Sequence, residues 1–169
     1  MVKRVRVIVL QTAGTNCDQE TAWGFELAGA SVVDLVHINQ FFEKKNSFLN
    51  YDILAIPGGF SYGDDVGAGK LFANELRYRL LDSTQKFIEK RRFIIGICNG
   101  FQVLIETGLL PGTDEIISEH PRACLMTNDS NRFECRPTYL RHDNRGKCIF
   151  TRKIRKGEIR LIPSAHAEG

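Results

Sequence analysis

Over the first 110 residues or so, short unbroken apolar runs alternate with polar stretches of helical period. "RVRVIVL" (4–10), "SVVDLVHI" (31–38), "YDILAIPGG" (51–59) and "RFIIGIC" (92–98) are predicted strands, the third stopping at Pro57. Between the first two, "TNCDQETAWGFELAGA" (15–30) reads as a helix. Thr15 or Asn16 can cap it, with Asp18 or Gln19 completing a capping box. "AGKLFANELRYRLLDSTQKFIEKR" (68–91) carries a long helical period with a candidate break at Asp82-Ser83. A further helix follows the fourth strand from about Asn99 to Thr107, ended by Gly108. Strands that are apolar nearly throughout, alternating with helices, predict an α/β fold: a mostly parallel sheet with helices on both faces. Past residue 111 the pattern changes. "ACLMTNDSNRFECRPTYLRHD" (123–143) and "KCIFTRKIRKGEIRLIPSAH" (147–166) read as shorter strands in a small antiparallel extension. With no repeat and no linker, residues 1–169 are expected to form a single domain.

Composition narrows the class without naming a chemistry. An apolar share of 43% and a charged share of 25% fit an ordinary globular protein. A formal charge of +3 is too mild to argue for a nucleic-acid or membrane surface. No apolar run approaches the roughly 18 residues of a membrane span, and "MVKRVRVIVL" reads as a first strand rather than a signal peptide. The cysteines, Cys17, Cys98, Cys124, Cys135 and Cys148, are odd in number, scattered and without a CxxC pair. They suggest neither a disulfide framework nor a zinc site, and the expected setting is reducing and cytoplasmic.

The chemistry concentrates where the fourth strand ends, in "GICNG" (96–100). Gly-x-Cys-x-Gly between a strand and a helix has the layout of a nucleophile elbow. Two residues without side chains let strand and helix approach while the residue between them is held up in a strained conformation. The helix N-terminus stabilises negative charge at the thiol, and the Asn99 N–H is placed to meet an oxyanion. An unspecified cysteine at a strand end is more often simply buried; the flanking glycines make Cys98 the candidate nucleophile. "PGGFSYGDD" (57–65) also follows a strand, and its glycines leave backbone N–H groups for the other half of an oxyanion hole. Both motifs sit at carboxyl ends of strands, where α/β sheets bind ligands.

Together "PGGFSYGDD", "GICNGFQVL", "GTNCD" and "NDSNRFECR" resemble the glutamine amidotransferase subunits of phosphoribosylformylglycinamidine synthases, from about residue 5 onward. Those are class I glutamine amidotransferases with a flavodoxin-like fold. The resemblance implies that Cys98 attacks the glutamine carboxamide, giving a glutamyl thioester and ammonia. Gly59 and Asn99 would offer N–H groups to the oxyanion. Gln102, Asn128, Ser130 and Phe133 would hold the glutamine. It also implies a synthase partner that binds formylglycinamide ribonucleotide, ATP and magnesium. No cofactor is expected in this chain, which has no Walker-type loop.

The general base departs from the pattern. His37, His120 and His142 read as structural or surface histidines. From chemistry alone, His166 with Glu168 two residues on would complete a triad with Cys98. In the family the base lies in a later His-Pro-Glu, and "AHAEG" (165–169) is an active-site loop. His-Pro-Glu is absent, so the chain is expected to lack the C-terminal part of its domain. Cys17, near a helix start, reads as a capping residue. "RGKCIFTRKIRKGEIR" (145–160), with seven basic residues to one acidic, reads as a solvated face or a docking surface for an acidic partner. Another elbow-cysteine hydrolase, or a glutamine-sensing subunit without catalysis, remains a possible alternative.

Overall fold

The computed structural model describes residues 4–43, 48–112, 117, 122–143 and 146–169. His120 and Arg145 lie outside the described residues. Two compact units divide the chain, Met1–Leu125 and Met126–Gly169.

The first unit is built on a four-stranded parallel sheet of β1 (Arg6–Gln11), β2 (Val32–His37), β3 (Ile53–Ile56) and β4 (Phe93–Gly96), in the order β2-β1-β3-β4. Alternate residues of the central strands feed two apolar layers. Ile8, Leu10, Leu54 and Ile56 pack with Phe72, Leu76, Phe87 and Val103 on one face. Val7, Val9 and Ala55 pack with Ala22 and Phe25 on the other. The first face is covered by α2 (Ile38–Glu43), α3 (Lys70–Arg79), α4 (Leu81–Glu89) and α5 (Asn99–Glu106), and the second by α1 (Asp18–Leu27). Phe72 and Phe87 are essentially inaccessible to solvent. Burying each contributes roughly 1.5–3 kcal/mol. This is the parallel sheet with helices on both faces that the apolar runs predict.

Three local departures have physical reasons. The capping box does not form: α1 starts at Asp18 behind Cys17, and no side chain caps it. Thr15 Oγ1 instead accepts the Thr12 N–H at 3.1 Å, and Asp18 takes the Gln11 amide. The break in the long helical stretch falls at Leu80 (φ −119°, ψ 13°), ahead of Asp82-Ser83, where that buried side chain is anchored in the core. A short helix, α2, succeeds β2 and buries Ile38 and Phe41 at helical spacing.

The second unit is an antiparallel ribbon of β5 (Glu134–Arg141) and β6 (Ile159–His166), the expected extension. Pro137 faces Pro163 in register, so the two residues that lack an N–H share one pairing position. Tyr139, Leu140, Ile159 and Leu161 are exposed on it, as are most of its basic side chains.

Candidate active site at the cysteine elbow

Cys98 sits between β4 and α5 at φ 52°, ψ −111°, a conformation that costs a side-chain-bearing residue about 1–3 kcal/mol. Steric demands on both sides hold it there. A Cβ on Gly96 would lie 2.3 Å from the Gly100 carbonyl oxygen, and one on Gly100 would lie 2.0 Å from that of Ile56. Neither contact is possible for any other residue, so the two glycines let α5 press onto β3 and β4. The corner is closed by the Ile97 N–H on Ile56 O at 3.0 Å and by the Phe101 N–H on Cys98 O at 2.9 Å. The thiol itself is exposed.

The turn after β3 is fastened to this corner through the Asn99 side chain, which is 3% exposed. Its Oδ1 accepts the Ser61 N–H at 3.1 Å and the Ser61 hydroxyl at 2.7 Å. Its Nδ2 donates to Asp64 Oδ1 at 3.0 Å and to Gln102 Oε1 at 3.1 Å. All four hydrogen-bonding positions of the amide are therefore used. Asp64 Oδ1 also receives the Gly69 N–H at 3.1 Å. Sequence reasoning reads Asn99 for its backbone and "PGGFSYGDD" for its glycines; the interlocking side chains Ser61, Asp64 and Asn99 are new. Gln102 is buried, with its amide oxygen turned toward Asn99.

A third loop joins these two. The Asn16 and Cys17 N–H groups donate to Gly58 O at 3.4 and 3.2 Å, and the Phe60 N–H donates to Gly14 O at 3.0 Å. Gly59 pairs with Thr15 in an isolated antiparallel bridge. Among the described residues neither the Gly59 N–H nor the Asn99 N–H has an acceptor. The loops following β1, β3 and β4 thus converge around Cys98, and Cys17 stands among them. Burial, followed by the charges of Glu20, Cys98 and Asp18, pushes the Cys17 thiol pKa up.

The remaining candidates lie in the second unit. Asn128 ties its own loop to the end of β6. Its N–H donates to Ala167 O at 2.9 Å, and its Nδ2 donates to His166 O at 2.8 Å and to Arg132 O at 3.0 Å. Glu168 pairs with Thr127 in a bridge. Phe133 is exposed. His166 has Nδ1 buried without a partner among the described residues. The residue opposite it in register is Glu134, a carboxylate that sequence reasoning missed because the pairing emerges only once the ribbon forms. A hydrogen bond from Ser130, with the charges of Arg136 and His166, holds Glu134 below the usual carboxylate range, against partial desolvation. Of the other histidines, His37 Nδ1 accepts the Asn39 N–H at 3.2 Å, and His142 lies against Arg155 O at 3.3 Å. No helix among the described residues is long and apolar enough to cross a membrane.

Residues 4–169 match the CobB/CobQ-like glutamine amidotransferase domain. Over 168 residues the chain is 45% identical to the phosphoribosylformylglycinamidine synthase subunit PurQ of Dehalococcoides mccartyi, covering 99% of this chain and 63% of that protein. Over 175 residues it is 43% identical to the PurQ of Archaeoglobus fulgidus, covering 99% and 64%. The chain therefore spans under two thirds of the length of these curated relatives. The solved structure of PurLQS from Thermotoga maritima superposes with a TM-score of 0.77 at 32% identity, covering 99% of this chain and 68% of that one. A Thermotoga maritima glutamine amidotransferase, 16% identical, shares the fold with a TM-score of 0.59, covering 99% of this chain and 62% of the other. With nearly its whole length matched, the chain belongs to the CobB/CobQ-like glutamine amidotransferase domain family.

Proposed function

We propose that this chain is the glutaminase part of a phosphoribosylformylglycinamidine synthase. The observation that carries the reading is the elbow: an exposed thiol at positive φ, on a strand-to-helix corner that two obligatory glycines create. Cys98 Sγ attacks the carboxamide carbon of glutamine. The resulting oxyanion is received by the N–H groups of Gly59 and Asn99, which have no acceptor of their own among the described residues. The C–N bond breaks, ammonia leaves with a proton, and water releases glutamate from the thioester. Ammonia then goes to a synthase partner in de novo purine synthesis that holds formylglycinamide ribonucleotide, ATP and magnesium. This chain supplies only thiol chemistry and needs no cofactor. The setting is the cytoplasm. The PurQ relatives and the PurLQS assembly support that assignment of partner and substrate. Asn128, Ser130 and Phe133 are glutamine contacts on the resemblance alone, and their alanine variants are expected to raise KM more than they lower kcat.

An electrophilic glutamine analogue tests the reading through peptide mass mapping. The expected result is a single adduct on Cys98, suppressed by excess glutamine and absent from Cys98→Ser. A label on another cysteine, or none, overturns it.

A further inference from the structure

Cys17 is not used by this mechanism, yet its loop is docked on the turn beside the nucleophile. The point that a Cβ would occupy on Gly58 lies 3.3 Å from Cys98 Cβ and 3.8 Å from Cys17 Cβ. The two Cβ atoms are therefore at most about 7 Å apart, against roughly 3.8 Å in a disulfide. Closing that gap asks about 3 Å, at the outside, of two loop segments. Both thiols are exposed. Cys17 also lines an open groove of about 420 Å³ with Glu20, Thr21, Phe25 and Ile97, the residue that precedes Cys98. An exposed elbow thiol with a second cysteine this close is the arrangement in which oxidation ends in a reversible bond rather than in irreversible acids.

We propose that Cys17 is a resolving thiol for Cys98, so that a peroxide switches the elbow off reversibly through a Cys17–Cys98 disulfide. This rests on Cys98 being the reactive thiol of the proposed function. The Cys98 thiolate attacks one oxygen of hydrogen peroxide, and the O–O bond breaks. Sulfur is oxidised to the sulfenic acid while the second oxygen leaves as hydroxide. Cys17 gives up its proton and attacks Cys98 Sγ. The S–S bond forms, the S–O bond breaks, and the departing hydroxide takes that proton to become water. An external dithiol restores both thiols by exchange. Partial burial, followed by neighbouring charge, pushes the Cys17 pKa up, in keeping with a part in the second step alone.

Wild type and Cys17→Ser are treated with hydrogen peroxide, quenched by alkylation and mapped without reduction. Serine is a favoured residue at the helix-capping position, so the variant is expected to fold with unchanged basal glutaminase activity. The wild type is expected to yield a cross-linked Cys17–Cys98 peptide pair. Dithiothreitol then restores labelling of Cys98 by the glutamine analogue. Cys17→Ser is expected to give no cross-link, to carry a sulfenic acid that dimedone traps on Cys98, and to pass on to acids that dithiothreitol does not reverse. Labelling recovered after dithiothreitol should be roughly tenfold lower than in wild type. Equal irreversible oxidation of Cys98 in both proteins, a cross-link to another cysteine, or a Cys98 untouched by peroxide overturns the proposal. A disulfide without analogue labelling of the reduced protein would sink the glutaminase reading and leave the thiol pair standing; labelling without a disulfide would do the reverse.

Discussion

Exchanging Asn99 for aspartate keeps the shape of a buried side chain and inverts half of its hydrogen bonding. The oxygen that accepts the Ser61 N–H and hydroxyl is retained. The nitrogen that donates to Asp64 Oδ1 at 3.0 Å and to Gln102 Oε1 at 3.1 Å becomes a second oxygen. Gln102 can turn its amide over and donate; an ionised Asp64 has no hydrogen to offer. Two carboxylates then share one site. Such pairs raise one pKa, at ~1.4 kcal/mol per unit. Asp64 is only half-buried, and solvent screening brings the cost to about 2 kcal/mol at neutral pH.

The direction of the shift fixes the pH dependence. Unfolded, both carboxyls titrate near 3.9, or about pH 4. In folded Asn99→Asp one of them titrates higher, so the folded state holds its proton longer. The stability deficit is complete above the raised pKa, shrinks as pH falls through it and is gone below about pH 4. Asn99→Leu behaves differently, because it takes away the oxygen to which the buried Ser61 donates its N–H and hydroxyl, at about 1–3 kcal/mol. That loss does not depend on pH. Urea unfolding at about pH 8 and pH 5 separates the two. The Asn99→Asp deficit should shrink by about 0.7 kcal/mol, roughly a third, at the lower pH, while that of Asn99→Leu stays put. An aspartate variant as stable as wild type at the higher pH, or a deficit that does not shrink, refutes the clamp.

Gly100→Ala should abolish cooperative unfolding, since its Cβ would lie 2.0 Å from Ile56 O; Gly24→Ala, with nothing within 4 Å, should stabilise α1 by about 0.5–1 kcal/mol in the same denaturation assay. The Tyr51 hydroxyl donates to Asp34 at 2.6 Å, and burial, then that bond, pushes its pKa up to about 12. Unfolded tyrosine ionises near about 10, so stability carried by this group is intact below that pH and falls by up to ~1.4 kcal/mol per pH unit on the way to about 12. Tyr51→Phe should remove that part of the slope from alkaline unfolding curves. Alkylation followed by mass mapping at neutral pH should modify Cys148 ahead of Cys17. A hydrogen bond with Thr151 holds the Cys148 pKa down, and burial holds that of Cys17 up. Thr151→Val should narrow the gap.

What could be read in the sequence was local. Strands buried on both faces announce themselves as continuous apolar runs, so β1 and β3 were legible along with the layering they impose, and the less buried β2 and β4 were apolar enough to be read too. The elbow was legible because its requirement is steric and spans five residues: the Cβ missing from Gly96 would strike the Gly100 carbonyl. The capping box failed for the opposite reason. Thr15 and Asn16 have the right chemistry for a cap, but the Thr15 hydroxyl is spent on the Thr12 N–H and the helix begins later, behind Cys17. The Asn99 clamp joins residues 35 and 38 positions apart, and serine or aspartate in a turn carries no mark of so distant a partner. Cys17 was correctly placed at a helix start. What sets it beside Cys98 is strand order. Because β3 lies between β1 and β4, the loops leaving their carboxyl ends must crowd around the turn at Gly58. The composition of this site is therefore a consequence of topology, and a residue's part in it depends on which strand its loop leaves rather than on its own neighbours in the chain.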